Sequence, residues 1–330
     1  MAKIWLHVFF ITLATAFAEV LSWSYTKAII NPVAFLPYGL LYILFIDYIM
    51  KKKLSDWKTI YLFGILVGFI TEAYFAKVMF FGWEGKATGF APFEFFVLSF
   101  FVHPLFSFII PLYFAKNFFN FPINIKESKS KNKVFWLLPI YPFLWSFGNF
   151  DYALFIDFFL SFFIFAFASF LLFKFGESKN IILQNKTRII LIILTLLFYI
   201  IGFFIFPEPS KIPPLAYLIF SFIFVCFIFI LIIVRIKKLT SYQISYKPTF
   251  NLWKVLSSSF LFILISLFLS FWNPYLVIIM TSILAIALII GAFIGTLYFL
   301  YIIYDSFNLV SKRSVSRIRL GYGRIGRDAD

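Results

Sequence analysis

Ten long apolar runs divide this chain, and positive charge gathers in every second gap between them. A hydrocarbon core about 30 Å thick is crossed by roughly 20 apolar residues in a helix. The candidate runs are residues 4–21, 33–50, 59–81, 90–114, 134–148, 155–173, 189–206, 215–234, 255–272 and 275–304. The fifth is short and interrupted by Pro139 and Pro142. The runs are continuous and do not alternate at period two, which implies helices and not barrel strands. The expected fold is all-α, a polytopic transmembrane helix bundle of about ten spans. With 63% hydrophobic and only 13% charged residues, the composition suits lipid as solvent and excludes an ordinary water-soluble domain.

The cations set the direction of threading. Lys3 precedes the first run, and Lys51, Lys52, Lys53 and Lys58 fill the second-to-third gap. Lys116, Lys126, Lys129, Lys131 and Lys133 follow the fourth run, and Lys174, Lys179, Lys186 and Arg188 follow the sixth. Arg235, Lys237, Lys238, Lys247 and Lys254 follow the eighth, and the tail holds Lys312, Arg313, Arg317, Arg319, Arg324 and Arg327. These account for 25 of 29 Lys and Arg; Lys27, Lys86 and Lys211 lie in the opposite gaps, and Lys77 lies within the third run. Retention of cations on the cytoplasmic side puts both termini in the cytoplasm, for a multi-pass protein of the cell membrane. Tryptophan prefers the headgroup level. Trp5, Trp57, Trp136 and Trp253 fall at the predicted inner ends, and Trp23, Trp83, Trp145 and Trp272 fall at or near the outer ones.

The net charge of +15 is mostly this bias, so the expected partners are membrane lipids, with anionic headgroups at the cytoplasmic face, and not nucleic acid. The basic tail over 305–330 is read as a lipid-facing anchor, and a contact with another protein stays open. Lys3, the apolar run after it and Ala16-Phe17-Ala18 before Glu19 also fit a signal peptide that would be cleaved after residue 18. The lone Cys226 sits in an apolar run, which excludes an intrachain disulfide. Asn185-Lys186-Thr187 matches a glycosylation sequon but falls on the predicted cytoplasmic side. The gaps are too short to fold a core of their own. No phosphate-binding loop, metal-spaced Cys/His cluster or nucleophile elbow occurs, and no cofactor or metal is expected.

Ionisable side chains in hydrocarbon are costly and mark candidate sites. They concentrate in the first six runs, as Glu19, Asp47, Glu72, Lys77, Glu94, His103 and Asp157, with Asp151 just outside. The chain accordingly divides into a six-span half over 1–175 carrying the polar residues, an apolar four-span half over 176–304, and the tail. In the third run Gly64, Gly68, Glu72 and Ala76 recur every four residues and share one helix face. Small residues at this spacing admit a close neighbouring helix. Glu72 therefore points into a helix contact, where its charged form is disfavoured, a setting for proton handling or for a purely structural hydrogen bond. In the fourth run His103 stands between Ser99 and Ser107 at spacing four, with Pro104 and Pro111 available to bend the helix. Glu19, Glu94 and Asp157 lie toward the predicted outer face, and with Glu72 and His103 they make the candidate polar site. Asp47 is read as a solvated or lysine-paired helix end, and Lys77 as snorkelling at the outer end. Gly291 and Gly295, with Ala287, form a packing stripe in the last run.

The segments NPVAFLPYGLLYILFIDYIMKKK, LFGILVGFITEAYFAKVMFF and FVLSFFVHPLFSFIIPLYFA, within residues 19–116, resemble a family of uncharacterised prokaryotic multi-pass membrane proteins. That resemblance implies membrane residence and no particular activity. A membrane Glu followed by a membrane His is also faintly similar to the CAAX-type intramembrane endopeptidases. Here Thr71 stands where paired glutamates begin, Ala76 where an arginine belongs, Ser99 where a phenylalanine belongs, and no histidine follows His103. The hydrolytic set is incomplete.

Three functions follow. The first is a transporter or flippase-like protein for a small or amphipathic solute, proton-coupled through Glu72. Ten spans with both ends inside resemble the five-plus-five inverted repeats of drug/metabolite transporters, although the two halves show no visible similarity. The second is a membrane enzyme acting on lipid-linked substrates, and the third a non-catalytic subunit or assembly factor.

Overall fold

The computed structural model describes residues 32–52, 54, 56–82, 90–110, 112, 183–205, 212–236, 264 and 274–325. These residues form helices with no strand among them. Helix α1 is Pro32–Lys52. Helix α2, Trp57–Ile70, passes without a break into a wider π-helical turn, Thr71–Phe75. After it comes the single turn α3, Val78–Phe81. Helix α4 begins as Pro92–Val97 and widens into a π-helical stretch, Leu98–Ile109. Helices α5, α6 and α7 are Asn185–Ile205, Leu215–Ile236 and Pro274–Ile325.

Among the described residues five segments are long and apolar enough to cross a membrane: Trp57–Phe75, Pro92–Ile109, Asn185–Ile205, Leu215–Ile236 and Ala285–Val310. They answer to the runs at 59–81, 90–114, 189–206, 215–234 and 275–304, and α1 covers the run at 33–50. The remaining runs lie outside the described residues, Leu264 apart. The least apolar of the five, Trp57–Phe75, is 83% buried, whereas the most apolar, Leu215–Ile236, is 22% buried. This order is the one lipid imposes. A helix surrounded by protein tolerates polar residues, and one facing hydrocarbon is apolar all round.

Helix α2 is therefore the central strut. Its neighbour α4 lies along it, α6 packs on it through aromatic contacts, and α7 packs chiefly on α4. Phe69 meets Phe224 at 4.7 Å between ring centroids, and Phe100 stacks on Phe299 at 4.9 Å. Helix α5 docks through Gly202, where an added Cβ would come 2.7 Å from the Phe75 ring.

The run at 59–81, read from sequence as one helix, is interrupted after Phe75. Lys77 takes a left-handed backbone, φ 57°, which costs a non-glycine residue on the order of 1–3 kcal/mol. Its carbonyl accepts the N–H groups of Phe80 and Phe81, starting α3, and Ala91 N–H donates to the Met79 carbonyl to bring in α4. Lys77 is fully buried and does not snorkel; its ammonium lies 5.1 Å from the centre of the Phe203 ring, so the break turns the side chain into the bundle.

Two ionic clusters tie the helices together at the end where α1 gives way to α2. Asp47, 1% exposed, is not a solvated terminus. One oxygen accepts Leu183 N–H at 2.7 Å and the other accepts Arg188 Nε at 2.6 Å, joining α1 to the start of α5. Arg235, 5% exposed, donates to Asp56 through Nη2 at 2.8 Å and to Asp305 through Nη1 at 2.8 Å, and Lys58 shares Asp305 at 2.8 Å. Asp56 also caps α2, accepting Thr59 N–H at 3.0 Å. One arginine thus fastens α2, α6 and α7.

Breaking a fully buried pair costs about 3–5 kcal/mol. Asp56 and Asp305 keep 19% and 28% of their side-chain surface, so the expected loss is smaller. Arg235→Met should cost about 2 kcal/mol in denaturant unfolding of the purified protein, and adding Asp56→Asn should cost much less than the sum of the two single changes. Additive losses would show that the two side chains act independently.

Candidate functional site

The centre of the molecule is the contact between α2 and α4, and glycine sets its depth. A Cβ at Gly64 would stand 2.6 Å from the Pro104 Cα, and one at Gly68 would collide with the His103 side chain. These absences let the backbones approach, and they seat His103 directly over the α2 surface. Four residues past Gly68, Glu72 meets it. His103 Nε2 lies 3.1 Å from Glu72 Oε1, and Nδ1 lies 3.0 Å from Ser107 Oγ. All three side chains are buried.

Pro104 accounts for the widened course of α4. It has no N–H to give the Phe100 carbonyl four residues back, and its ring crowds that carbonyl. The Tyr61 hydroxyl donates to the Phe100 carbonyl, with the Gly295 carbonyl 3.1 Å from the same hydroxyl. A side chain at Gly295 would strike the Phe100 carbonyl, and one at Gly291 would strike the Phe101 ring. The glycine pair in α7 therefore leaves room for the α4 distortion.

The π-helical turn of α2 sends three polar groups to three different helices. Glu72 goes to α4, Thr71 Oγ1 meets Tyr199 Oη of α5 at 3.0 Å, and Tyr74 Oη meets Ser221 Oγ of α6 at 2.8 Å. Ser221 donates onward to the Leu218 carbonyl at 2.8 Å, so the hydroxyl it receives is that of Tyr74. Single π-helical turns occur often at functional sites.

Chemically, the trio offers two hydrogen-bond patterns. With one proton on the imidazole, Nε2–H donates to the Glu72 carboxylate and Nδ1 accepts from Ser107. With a second, Nδ1–H donates to Ser107 Oγ, and the pair becomes electrically neutral. A hydroxyl serves as donor or acceptor alike, so Ser107 can partner Nδ1 in either state.

Of the other candidates, Glu94 is half-buried in the first turn of α4, nine residues before His103. Glu19 and Asp157 lie outside the described residues. Among the described residues no three His, Cys, Asp or Glu side chains converge as metal ligands. Sequence reading overlooked Thr71, Tyr74, Tyr199 and Ser221. A tyrosine and a serine in the otherwise apolar α5 and α6 runs were the available signal. It also missed Tyr61, whose cue was the proline opposite.

A net membrane hydrogen bond averages about 0.6 kcal/mol and reaches about 1.7. Forcing a methyl into a filled contact costs about 1–3 kcal/mol. Gly68→Ala should thus destabilise the protein more than Ser107→Ala in the same denaturant titration. The reverse order would mean that α2 and α4 can separate freely and that the polar trio, not close approach, holds them.

The comparisons with known proteins agree with a bundle in lipid. No curated protein and no solved structure matches the chain. A model of an uncharacterized membrane protein family matches residues 8–318, so the chain belongs to that family and is a multi-pass membrane protein.

Proposed function

We propose that the protein is a transporter for a small or amphipathic solute in the cell membrane, and that Glu72, His103 and Ser107 bind and release its coupling proton. The observation that carries this reading is the single imidazole bonded on one side to a carboxylate and on the other to a hydroxyl. In such a trio Ser107 partners Nδ1 whether the imidazole carries one proton or two. Burying it in hydrocarbon is expensive, and intramembrane ionisable groups that pair this way are the usual elements of proton relays. The π-helical course of both partner segments supports the same reading, because side chains there sit on backbone that departs from a rigid α-helix.

One observation favours a second reading. His103 rests in the tightest part of the α2–α4 contact, over Gly68. In a non-catalytic subunit the same bonds would only fix helix register.

The two readings part in vesicles. The purified protein is reconstituted with a pooled set of small solutes, and accumulation is read by mass spectrometry with and without a pH gradient. At least one solute should accumulate under the gradient, and Glu72→Gln should reduce this about tenfold or more while leaving the protein folded. A folded Glu72→Gln protein with full gradient-driven accumulation removes the proton role. A wild type that moves none of the solutes, but co-purifies with a stoichiometric partner, selects the subunit reading.

A further inference from the structure

An apolar groove of about 330 Å³ runs between α2, α4 and α7. Its size falls within the range of ligand sites, about 300–1,000 Å³. Trp57 and Tyr298 mark one end, and Phe101, set against Gly291, closes the other. Gly291 and Tyr298 are separated along α7 by about 10 Å at 1.5 Å per residue. That is most of the roughly 15 Å of hydrocarbon in one leaflet. The wall is apolar because the Tyr61 hydroxyl is taken up by the Phe100 and Gly295 carbonyls. Ile294 is 59% exposed, beside Ile290 at 52% and Phe293 at 65%, so the described residues leave one side of the groove uncovered.

The open end adjoins a cation. Lys58 follows Trp57 in the chain, and its ammonium gives one hydrogen to Asp305 at 2.8 Å and one to Tyr301 Oη at 3.1 Å. An ammonium has three. Its side chain keeps 21% of its surface, which leaves the third hydrogen within reach of an outside oxygen.

The geometry points to a binding site for one phospholipid, an acyl chain lying along Leu105 and Ile294 and the phosphate beside Lys58. Charge balance limits its selectivity. Lys58 and Arg235 face Asp56 and Asp305, so the cluster is neutral and favours a phosphate contact without preferring anionic over zwitterionic headgroups. The site shares no residue with the Glu72 trio, and the two proposals stand or fall apart.

Trp57 is the internal reporter. Full-length protein in mild detergent is titrated with chain-brominated phosphatidylcholine, and the Trp57 signal is the difference between wild type and Trp57→Phe. Trp57 should be quenched saturably at about tenfold less lipid than the other tryptophans. Brominated diacylglycerol, which lacks phosphate, should bind at least about threefold more weakly, and Lys58→Met should erase that difference. Filling the groove with Leu105→Phe and Ile294→Phe should return Trp57 to the behaviour of the rest. Brominated phosphatidylglycerol should match phosphatidylcholine within about twofold. Quenching of Trp57 in parallel with the other tryptophans, or none at any lipid ratio, overturns the site. A strong preference for phosphatidylglycerol overturns the charge-balance claim. Should the filled variant not fold, equal binding of phosphatidylcholine and diacylglycerol by wild type is itself enough to overturn the phosphate contact.

Discussion

The approach of α2 to α4 at Gly64 and Gly68 governs most of what surrounds it. Hydrophobicity cannot drive helices together in lipid, so packing and hydrogen bonds must do so. With no side chain at Gly68, the His103 ring can lie on the α2 backbone and reach Glu72. With none at Gly64, Pro104 can press against the same face. Pro104 in turn disfavours an α-helical course for α4, whose wide turns bring the Phe100 carbonyl to the Tyr61 hydroxyl and against Gly295. Each step is a local consequence of the one before, and together they explain why two imperfect helices fit each other better than two ideal ones would.

Attachment of the remaining helices uses two different kinds of contact at two levels. At the end where α1 meets α2, charge does the fastening, through Asp47 with Arg188 and Arg235 with its two aspartates. Deeper in the bundle, hydroxyl pairs suffice, Thr71 with Tyr199 and Tyr74 with Ser221. A hydroxyl pair costs less to bury than an ion pair. Glu72 and His103 bring two ionisable groups together at that level, side by side.

Local pattern was legible in the sequence, and long-range pairing was not. The period-four stripe of Gly64, Gly68 and Glu72 and the Ser99–His103–Ser107 spacing could be read because the helix itself brings those residues onto one face. Nothing local shows that Asp47 meets Arg188, 141 positions away, or that Arg235 meets Asp56, 179 away. Asp47 was read as solvated because Lys51–Lys53 are its visible neighbours along the chain. Lys77 was misplaced for a related reason. A continuous helix would carry it to the interface, whereas a left-handed residue after the π-helical turn folds it inward. Pro104 announced a bend, but the extent of the widening, Leu98–Ile109, depends on the partners that absorb it.

The neutral cluster around Arg235 has a consequence for where the chain's excess charge resides. Lys58 and Arg235 count toward the 29 Lys and Arg behind the net charge of +15, yet in the bundle Asp56 and Asp305 balance them. Two cations and two carboxylates add nothing to that total, so this clasp among three helices presents a dipolar patch and not a cationic one. The surplus is carried by the other lysines and arginines.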